Sequence, residues 1–332
     1  MKDLVKKLVE SYGPAGDEGP VRQMIEEEIK ELADEVRVDA LGNLIARKKG
    51  NGKGKKVMLA AHMDEIGIIV TSIDDKGFLR FAPVGGWSPP TLLGKRVIFA
   101  NGTSGVIHTE HLDDIKELKV TKLFIDIGAS DKATASENVG IGDMAVFYGP
   151  LFDMGERWVA KAMDDRIGCV VLIETLRQLG ACDHDVYFVF TVQEEVGLRG
   201  ARTAAYGVDP EIGIACDVTR VGDTPKSHIM EVSLGGGAAI KVKDSSLICH
   251  PALRKHLVEI AKENKIPYQL EVLERGGTDA AAMQLSRAGI IAGVISVPCR
   301  YIHSPSEMVD AGDVKACVDL LVQSLKGSMV LQ

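Results

Sequence analysis

The sequence lacks the features that would indicate a nucleic-acid-binding, membrane or secreted protein. Its formal net charge is −8 and its pI is about 5.6, so it offers no basic surface for nucleic acid or anionic lipid. No run approaches the roughly 20 apolar residues of a membrane span. Lysines interrupt the apolar positions of residues 1–13, which indicates an amphipathic helix and not a signal peptide. We therefore expect neither nucleic acid nor a membrane as partner.

Several motifs that carry other chemistries are also missing. The six cysteines include no C-x-x-C pair and several lie in apolar runs, so we expect buried free thiols in a cytoplasmic, reducing compartment. There is no G-x-x-x-x-G-K loop, no G-x-G-x-x-G that opens a helix, and no serine or cysteine elbow. These absences leave metal-dependent chemistry as the simplest option.

The spacing of apolar residues divides the chain into an α/β part and a β part. Helical periodicity occurs at 2–11 and 18–33, and a hairpin pattern and a short strand follow. Short alternating runs between Gly, Asp and Pro turns then predict an inserted β domain of residues 66–156, a barrel or sandwich without a long helix. Residues 1–65 and 157–332 are predicted to form one α/β domain. Its later helices are predicted at 166–179, 251–264, 279–288 and 312–326.

Histidine and acidic side chains follow the predicted strands of the α/β part, at the point where each strand ends. The apolar run 186–192 ends in Glu194 and Glu195, and equivalent positions elsewhere are His62, Asp64, Asp164, Asp165, Asp217 and His303. Because parallel strands end at one edge of a sheet, these side chains should converge. A mixed nitrogen and oxygen set suits Zn²⁺, Co²⁺ or Mn²⁺, and carboxylates can bridge two such ions.

Each of these side chains also has an ordinary structural explanation. The Glu194–Glu195 pair fits a solvated acidic loop, and His303 fits an exposed loop. Asp164 and Asp165 stand at the predicted start of a helix, where one of them is expected to be a cap that needs no metal. Four different strands that all end in metal-competent side chains are nevertheless better explained by one shared site.

Six short motifs together resemble a single family. They are AHMDEIG (61–67), AMDDR (162–166), QEEVGLRGA (193–201), CDV (216–218), GGTDA (276–280) and RYIHSPSE (300–307). The sequence resembles the M42 family of cytosolic metallo-aminopeptidases, which are relatives of the tetrahedral TET aminopeptidases, and the resemblance covers nearly the whole chain. It implies an α/β, mixed-sheet catalytic domain of the phosphorylase/hydrolase-like kind with an inserted β-barrel-like domain.

The resemblance also implies roles for individual residues. Two divalent metal ions per subunit are expected, zinc or cobalt before manganese. The implied ligands are His62 and Asp217 for one ion, Glu195 and His303 for the other, and Asp164 as the bridge. Glu194 resembles the general base, and Asp64 resembles the residue that orients His62. Asp165 resembles the partner of Asp164 in a peptide of unusual geometry, which the sequence alone does not reveal.

The charge balance of this ligand set agrees with a hydrolytic reaction. Three ligand carboxylates against two divalent ions leave about one positive charge, which favours a metal-bound hydroxide because coordination lowers the pKa of water toward about 7. Glu194 can take the proton of the water and later pass it to the departing amine. One ion can polarise the scissile carbonyl while the other receives the free α-amine, so the expected reaction removes N-terminal residues from short peptides.

Two glycine-rich stretches are weaker signals. They are GGTDA at 276–280 and LGGG at 234–237, and both could line the substrate cleft or simply form turns. Gly276, Gly277, Thr278 and Asp279 are the candidate substrate-binding residues.

Other functions fit parts of the pattern. A di-metal deacylase or carboxypeptidase would use a similar core. An endoglucanase would use Glu194 and Glu195 as acid and nucleophile, but adjacent side chains on a strand diverge and do not flank a sugar at a spacing of about 5–10 Å. A scaffold protein would not need the complete ligand set. The family resemblance further implies a homo-oligomer, from a dimer to a hollow dodecamer that admits unfolded peptides.

Overall fold

Two sheets organise the fold in the computed structural model, which describes residues 1–227, 229–327, 329 and 331. The helices are α1 (Lys2–Val9), α2 (Gly19–Ile29), α3 (Lys132–Ser136), α4 (Met163–Leu179), α5 (Arg199–Val208), α6 (Pro251–Glu263), α7 (Asp279–Gln284) and α8 (Ala311–Lys326). The strands are β1 (Glu35–Val38), β2 (Leu44–Lys48), β3 (Lys56–His62), β4 (Gly67–Ile73), β5 (Leu79–Val84), β6 (Arg96–Phe99), β7 (Ser104–Thr109), β8 (Leu123–Asp126), β9 (Met144–Phe147), β10 (Phe152–Asp153), β11 (Arg157–Ala160), β12 (Asp185–Thr191), β13 (Ile212–Thr219), β14 (Ala238–Lys243), β15 (Tyr268–Val272), β16 (Ile291–Arg300) and β17 (Glu307–Asp310).

The larger sheet is mixed and has parallel strands at its centre. Its order is β1-β2-β12-β3-β13-β16-β17-β11-β10, with β14 paired to β16 and β15 paired to β14. The four central strands β12, β3, β13 and β16 run parallel, so their carboxyl ends meet at one edge. The predicted α/β class with a mixed sheet is confirmed.

Side chains of the central strands alternate between two buried layers. In β3, Val57, Leu59 and Ala61 pack in the layer of α1, α2, α4, α6 and α8, whereas Met58 and Ala60 pack in the layer of α5 and α7. Because both faces are covered, these strands are continuously apolar and carry their polar residues at their ends. The sequence pattern therefore directs the polar side chains to the carboxyl edge.

The second sheet closes on itself as a six-stranded barrel. Its strand order is β4-β5-β8-β7-β6-β9, its pairs are antiparallel, and its strands lie between Gly67 and Phe147. It encloses an apolar core of its own. The inserted β-barrel-like element is therefore confirmed.

Some elements differ from the predicted ones. The helix predicted at 279–288 ends at Gln284, and the chain then turns through Gly289 with a φ of +101°. The apolar run 186–192, predicted to be a parallel strand, forms most of β12. This strand pairs parallel with β3 but antiparallel with β2. Strand β17 was missed because four residues are too few to show a periodic pattern.

The cysteines are free thiols, as expected. Five of the six are buried, and Cys182 is partly exposed. Within the described part of the chain, no helix is both long enough and apolar enough to cross a membrane.

A buried ionic cluster ties the N-terminal helix to the segments that carry the acidic motifs. The Nζ of Lys161 lies 2.7 Å from both carboxylate oxygens of Glu65, and the Nη2 of Arg166 lies 3.3 Å from one of them. Lys161 and Arg166 also donate to the carbonyls of Ser11 and Leu8, at 3.0 and 2.7 Å. All three charged residues are at most 6% exposed, so none of the charges is well solvated if its partner is removed.

We expect Glu65→Gln to destabilise the fold strongly, because it leaves two cations buried together. Loss of one partner of a buried pair costs about 3–5 kcal/mol, and urea unfolding of the metal-free protein followed by circular dichroism measures it. Glu211→Gln is the matched control, because Glu211 also lies 2.7 Å from a lysine, Lys55, but on the surface. The control should change the free energy of unfolding by less than about 1 kcal/mol. Equal losses in the two variants would contradict this account.

Candidate active site

The carboxyl edge of the central strands gathers the predicted metal ligands, which are His62, Asp164, Glu195, Asp217 and His303. Potential ligand atoms of His62, Asp164 and Glu195 lie within 4.8 Å of one another. The same is true of a second group, made of His62, Asp165 and Asp217. His62 belongs to both groups, so the donors form one continuous cluster.

The Asp164 carboxylate lies between two histidines. Its Oδ1 is 3.0 Å from the Nε2 of His62, and its Oδ2 is 3.3 Å from the Nε2 of His303. The Nε2 of His303 is also 3.3 Å from the Oε1 of Glu195. Burial opposes ionisation of Asp164, but its hydrogen bonds with the two imidazoles outweigh burial and keep its pKa below the usual range. Each oxygen of Asp164 thus faces a different nitrogen donor.

The surrounding acids raise the proton affinity of both histidines. Burial alone lowers the pKa of His303, but its hydrogen bonds with Asp164 and Glu195 outweigh burial and raise the pKa to about 11. Burial likewise opposes protonation of His62, and the charge of Glu194 and its other acidic neighbours raise its pKa well above the usual value. The site therefore favours positive charge at both imidazole positions.

The acids themselves are crowded and poorly solvated. Burial first, and then the charges of neighbouring acids, raise the pKa values of Glu194, Glu195 and Asp217. Among the described residues, the ion partners found within 4.0 Å of this acid cluster are histidines and not lysine or arginine. Divalent cations would relieve this repulsion, and the nitrogen and carboxylate donors suit zinc, cobalt or manganese. The donor set therefore fits a metal centre.

Asp64 holds the main chain of the acidic pair. Its Oδ1 accepts from the main-chain N–H of Glu194 at 2.9 Å, and its Oδ2 accepts from that of Glu195 at 3.1 Å. The Nδ1 of His62 lies 3.0 Å from the main-chain carbonyl of Asp64 but 3.6 Å from its carboxylate. Asp64 thus contacts His62 through its main-chain carbonyl and, at a longer distance, its carboxylate, while the carboxylate also holds the main chain of the acidic pair.

Asp165 caps the regular part of helix α4, which follows the non-helical residues Asp164 and Asp165. Its Oδ1 accepts from the N–H of Gly168 at 3.0 Å and its Oδ2 accepts from the N–H of His62 at 3.1 Å. A Cβ at position 168 would lie 2.3 Å from the Asp165 carboxylate, so the glycine permits this cap. The prediction that one of the two aspartates is a helix cap is confirmed. The peptide bond between Asp164 and Asp165 is cis.

Two neighbours of the ligands were not singled out from the sequence. Glu307 accepts from the main-chain N–H groups of His303 and Asp164, at 2.7 and 3.0 Å. Burial, with the charge of Asp164, raises the pKa of Glu307 to about 8. A Cβ at Gly86, in the loop after β5, would lie 3.6 Å from the His303 ring, so the barrel also borders the site. The available signal was that Glu307 closes the motif RYIHSPSE.

The stretch 276–279 is divided between surface and interior. Gly276 and Gly277 are exposed, whereas Thr278 and Asp279 are buried. The Oδ2 of Asp279 accepts from the hydroxyl of Thr191 at 2.5 Å, and burial raises the pKa of Asp279 to about 6. Because Thr191 pairs with His62 between neighbouring strands, Asp279 lies beside the cluster while the two glycines lie toward solvent.

The other glycine-rich stretch, 234–237, is a turn held by helix α8. The main-chain N–H groups of Gly235 and Gly237 each donate to the carboxylate of Asp313 at 2.7 Å. A Cβ at Gly237 would collide with the main-chain carbonyl of Pro267, which explains that glycine without a substrate.

A mixed α/β fold with this donor cluster at the edge of its parallel strands defines a metal-dependent hydrolase. The profile of the M42 glutamyl aminopeptidase family matches residues 42–320. The chain therefore belongs to the M42 aminopeptidase family, whose members are metal-dependent hydrolases of peptide bonds.

Individual relatives match over nearly their full lengths. A protein from Acetivibrio thermocellus that is provisionally named an aminopeptidase is 54% identical, over 98% of each chain. The lysyl aminopeptidase of Pyrococcus furiosus is 39% identical, over 98% of this chain and 97% of the relative.

Solved structures agree with this membership. Aminopeptidase APDkam598 from Desulfurococcus kamchatkensis matches with a TM-score of 0.94 and 42% identity, over 98% of this chain and 94% of that chain. The TET1 peptidase of Pyrococcus horikoshii, described as assembling into a tetrahedron or a large octahedral shell, matches with a TM-score of 0.87 and 36% identity, over 98% of both chains. A Thermotoga maritima protein described as an endoglucanase matches with a TM-score of 0.83 and 35% identity, over 97% of this chain and 96% of that chain.

We expect Asp64→Asn to lower kcat/KM by about 10- to 100-fold, the range typical of residues that orient metal-site groups. In the wild type, both carboxylate oxygens accept a hydrogen bond from a main-chain N–H group. In the variant, the amide presents an NH₂ group to one of these two N–H groups, so one hydrogen bond is lost. Steady-state cleavage of leucine p-nitroanilide measures the effect. Asp313→Asn is the matched control, because the two carboxylate oxygens of Asp313 also accept from two main-chain N–H groups, those of Gly235 and Gly237, away from the donor cluster. Unchanged kinetics in Asp64→Asn, or an equal loss in the control, would be evidence against this role.

Proposed function

We propose that this protein is a two-metal aminopeptidase that removes N-terminal residues from short peptides. The observation that carries the proposal is the Asp164 carboxylate, whose two oxygens face His62 and His303 separately. A carboxylate in this arrangement can bridge two ions. Family membership supports the peptidase activity, and the names of the relatives support action at the amino terminus.

We assign the donors as the family resemblance implies. His62 and Asp217 would hold one ion, Glu195 and His303 would hold the other, and Asp164 would bridge them. Zinc or cobalt is the proposed metal, with manganese as the alternative, because all three accept mixed imidazole and carboxylate donors. When bound, the ions would polarise the scissile carbonyl and make a coordinated water more acidic.

Glu194 is the proposed general base and acid. Its Oε2 lies 4.0 Å from the Nε2 of His62, farther than the oxygen of Asp164, so it borders the donor cluster without being central to it. Burial raises its pKa well above the usual value for glutamate, which suits a group that takes a proton from water and then passes it on to the leaving amine. The carboxylate of Asp64 would hold Glu194 in place.

We also assign roles to residues outside the donor cluster. Residues 276–279 are proposed to border the bound substrate, because Asp279 lies beside the cluster and the two glycines face solvent.

Residues 66–156 are proposed to form a separate domain, inserted between 1–65 and 157–332, that acts in oligomerisation and substrate access. The assemblies described for the TET1 peptidase support a homo-oligomer. The proposed size lies between a dimer and a dodecamer. Six free thiols are consistent with a cytoplasmic location.

The endoglucanase alternative receives little support from the site. Glu194 and Glu195 are adjacent residues whose main chains are both held by Asp64, and Glu195 faces His303. One acid of the pair is therefore committed to the donor cluster. A deacylase or carboxypeptidase on the same core is the closer alternative, and a blocked amino terminus distinguishes it.

The test is hydrolysis of leucine, glutamate, lysine and N-acetyl-leucine p-nitroanilides by chelated protein to which Zn²⁺, Co²⁺ or Mn²⁺ is returned. We expect metal-restored cleavage of the free-amine substrates and none of the acetylated one, because the free amine is part of what the site binds. Cleavage of the acetylated substrate, or silence across the panel with two metals bound, would contradict the aminopeptidase assignment.

Glu194→Gln is the internal control for this panel. It keeps the size of the side chain but removes its ability to accept a proton, so kcat should fall by about 10²- to 10⁴-fold. Metal content, measured by plasma mass spectrometry, should stay at the wild-type value. Retained turnover in this variant would refute the general-base role, and loss of metal would show that Glu194 is a ligand instead.

A further inference from the structure

Glu307 joins two segments of the site through their main chains. It is 2% exposed and lies at the start of β17, opposite Ala160 of β11. Its Oε1 accepts from the N–H of His303 at 2.7 Å, and its Oε2 accepts from the N–H of Asp164 at 3.0 Å. A single buried side chain therefore spans the gap between a loop after β16 and the first turn of α4.

Both of these main-chain positions lie outside regular secondary-structure geometry. His303 has a φ of +63°, in the left-handed region that residues other than glycine adopt only when their surroundings impose it. Asp164 has φ −76° and ψ 104°, which is not helical although it lies in the first turn of α4. A carboxyl group with two oxygens can accept from both N–H groups at once, which neither helix nor sheet pairing does here.

The two residues that Glu307 holds are also the ones whose side chains meet. The Nε2 of His303 lies 3.3 Å from the Oδ2 of Asp164, and a shift of either main chain would change this separation. The affinity of a site for metal depends on the exact positions of the ligands, and residues that hydrogen-bond to the ligands therefore affect it strongly. We propose that Glu307 is a positioning residue that sets the spacing of Asp164 and His303, and with it the affinity for the ion between them. This inference rests on the proposed two-metal function.

The test is a calorimetric titration of metal-free protein with Co²⁺, together with the visible absorption spectrum of the bound ion. Glu307→Gln keeps one acceptor oxygen but turns an NH₂ toward the other N–H group, and Glu307→Asp keeps the carboxyl group but is too short to span both. We expect at least one of the bound equivalents to bind tenfold or more weakly in each variant, with an altered visible spectrum. If one variant does not fold, the other decides.

Asp313→Asn is the matched control. Asp313 is also a buried carboxylate that bridges two main-chain N–H groups, those of Gly235 and Gly237, away from the donor cluster. The control should lower the melting temperature of the metal-free protein while Co²⁺ affinity and spectrum stay at wild-type values. A purely structural role for Glu307 would give the same result as this control.

Two outcomes separate this inference from the proposed function. Glu307 variants that bind Co²⁺ with wild-type stoichiometry, affinity and spectrum would overturn the positioning role and leave the two-metal proposal intact. Wild-type protein that binds fewer than two equivalents would contradict the two-metal proposal itself. In that case, weaker binding of the remaining equivalent in the Glu307 variants would still support the positioning role.

Discussion

The contact of one carboxylate, Asp164, with two histidines is the interaction on which the rest of the site depends. Its two oxygens face His62 and His303, which arrive from strands β3 and β16 on either side of β13. The sheet topology makes this meeting possible, because the carboxyl ends of the central strands share one edge. Asp164 itself comes from the start of α4, so helix and sheet must be held in register for the cluster to form.

The neighbouring polar residues hold helix α4 and the sheet in this relative position. Asp165 caps α4 and binds the main chain of His62, and Glu307 binds the main chains of Asp164 and His303. The buried cluster of Lys161, Glu65 and Arg166 links the same region to helix α1. Buried carboxyl groups in this part of the fold therefore orient residues of the donor cluster. This arrangement is costly for stability and useful for holding cations.

The sequence predicted the convergence of polar side chains that lie at or near the end of a long apolar strand. His62 ends β3, Asp217 lies within β13, and Glu195 comes shortly after β12. The burial of these runs is evident from composition, so their shared sheet edge could be inferred. The short strand β17 and the end of α7 were not predictable in the same way. A strand of four residues is too short to show a periodic pattern, and the point at which α7 ends depends on tertiary packing. Glu307 was missed for this reason, although the family motif ends on it.

Main-chain roles were equally hidden from sequence reasoning. The resemblance assigned Asp64 to the orientation of His62, and it did not indicate that the Asp64 carboxylate also binds the N–H groups of Glu194 and Glu195 while the carbonyl contacts the imidazole. Likewise, a glycine-rich motif such as 234–237 reads the same whether it faces a substrate or, as here, a helix. Such distinctions depend on which segment packs opposite, which only the folded chain defines.

Diffraction from crystals soaked in zinc, collected on both sides of the zinc absorption edge, would test the central claim most directly. We expect two anomalous peaks in each subunit, about 3.5–4 Å apart, with the Asp164 carboxylate in contact with both. His62 and Asp217 should contact one peak, and Glu195 and His303 the other. A single peak, or two peaks that do not share Asp164, would contradict the account.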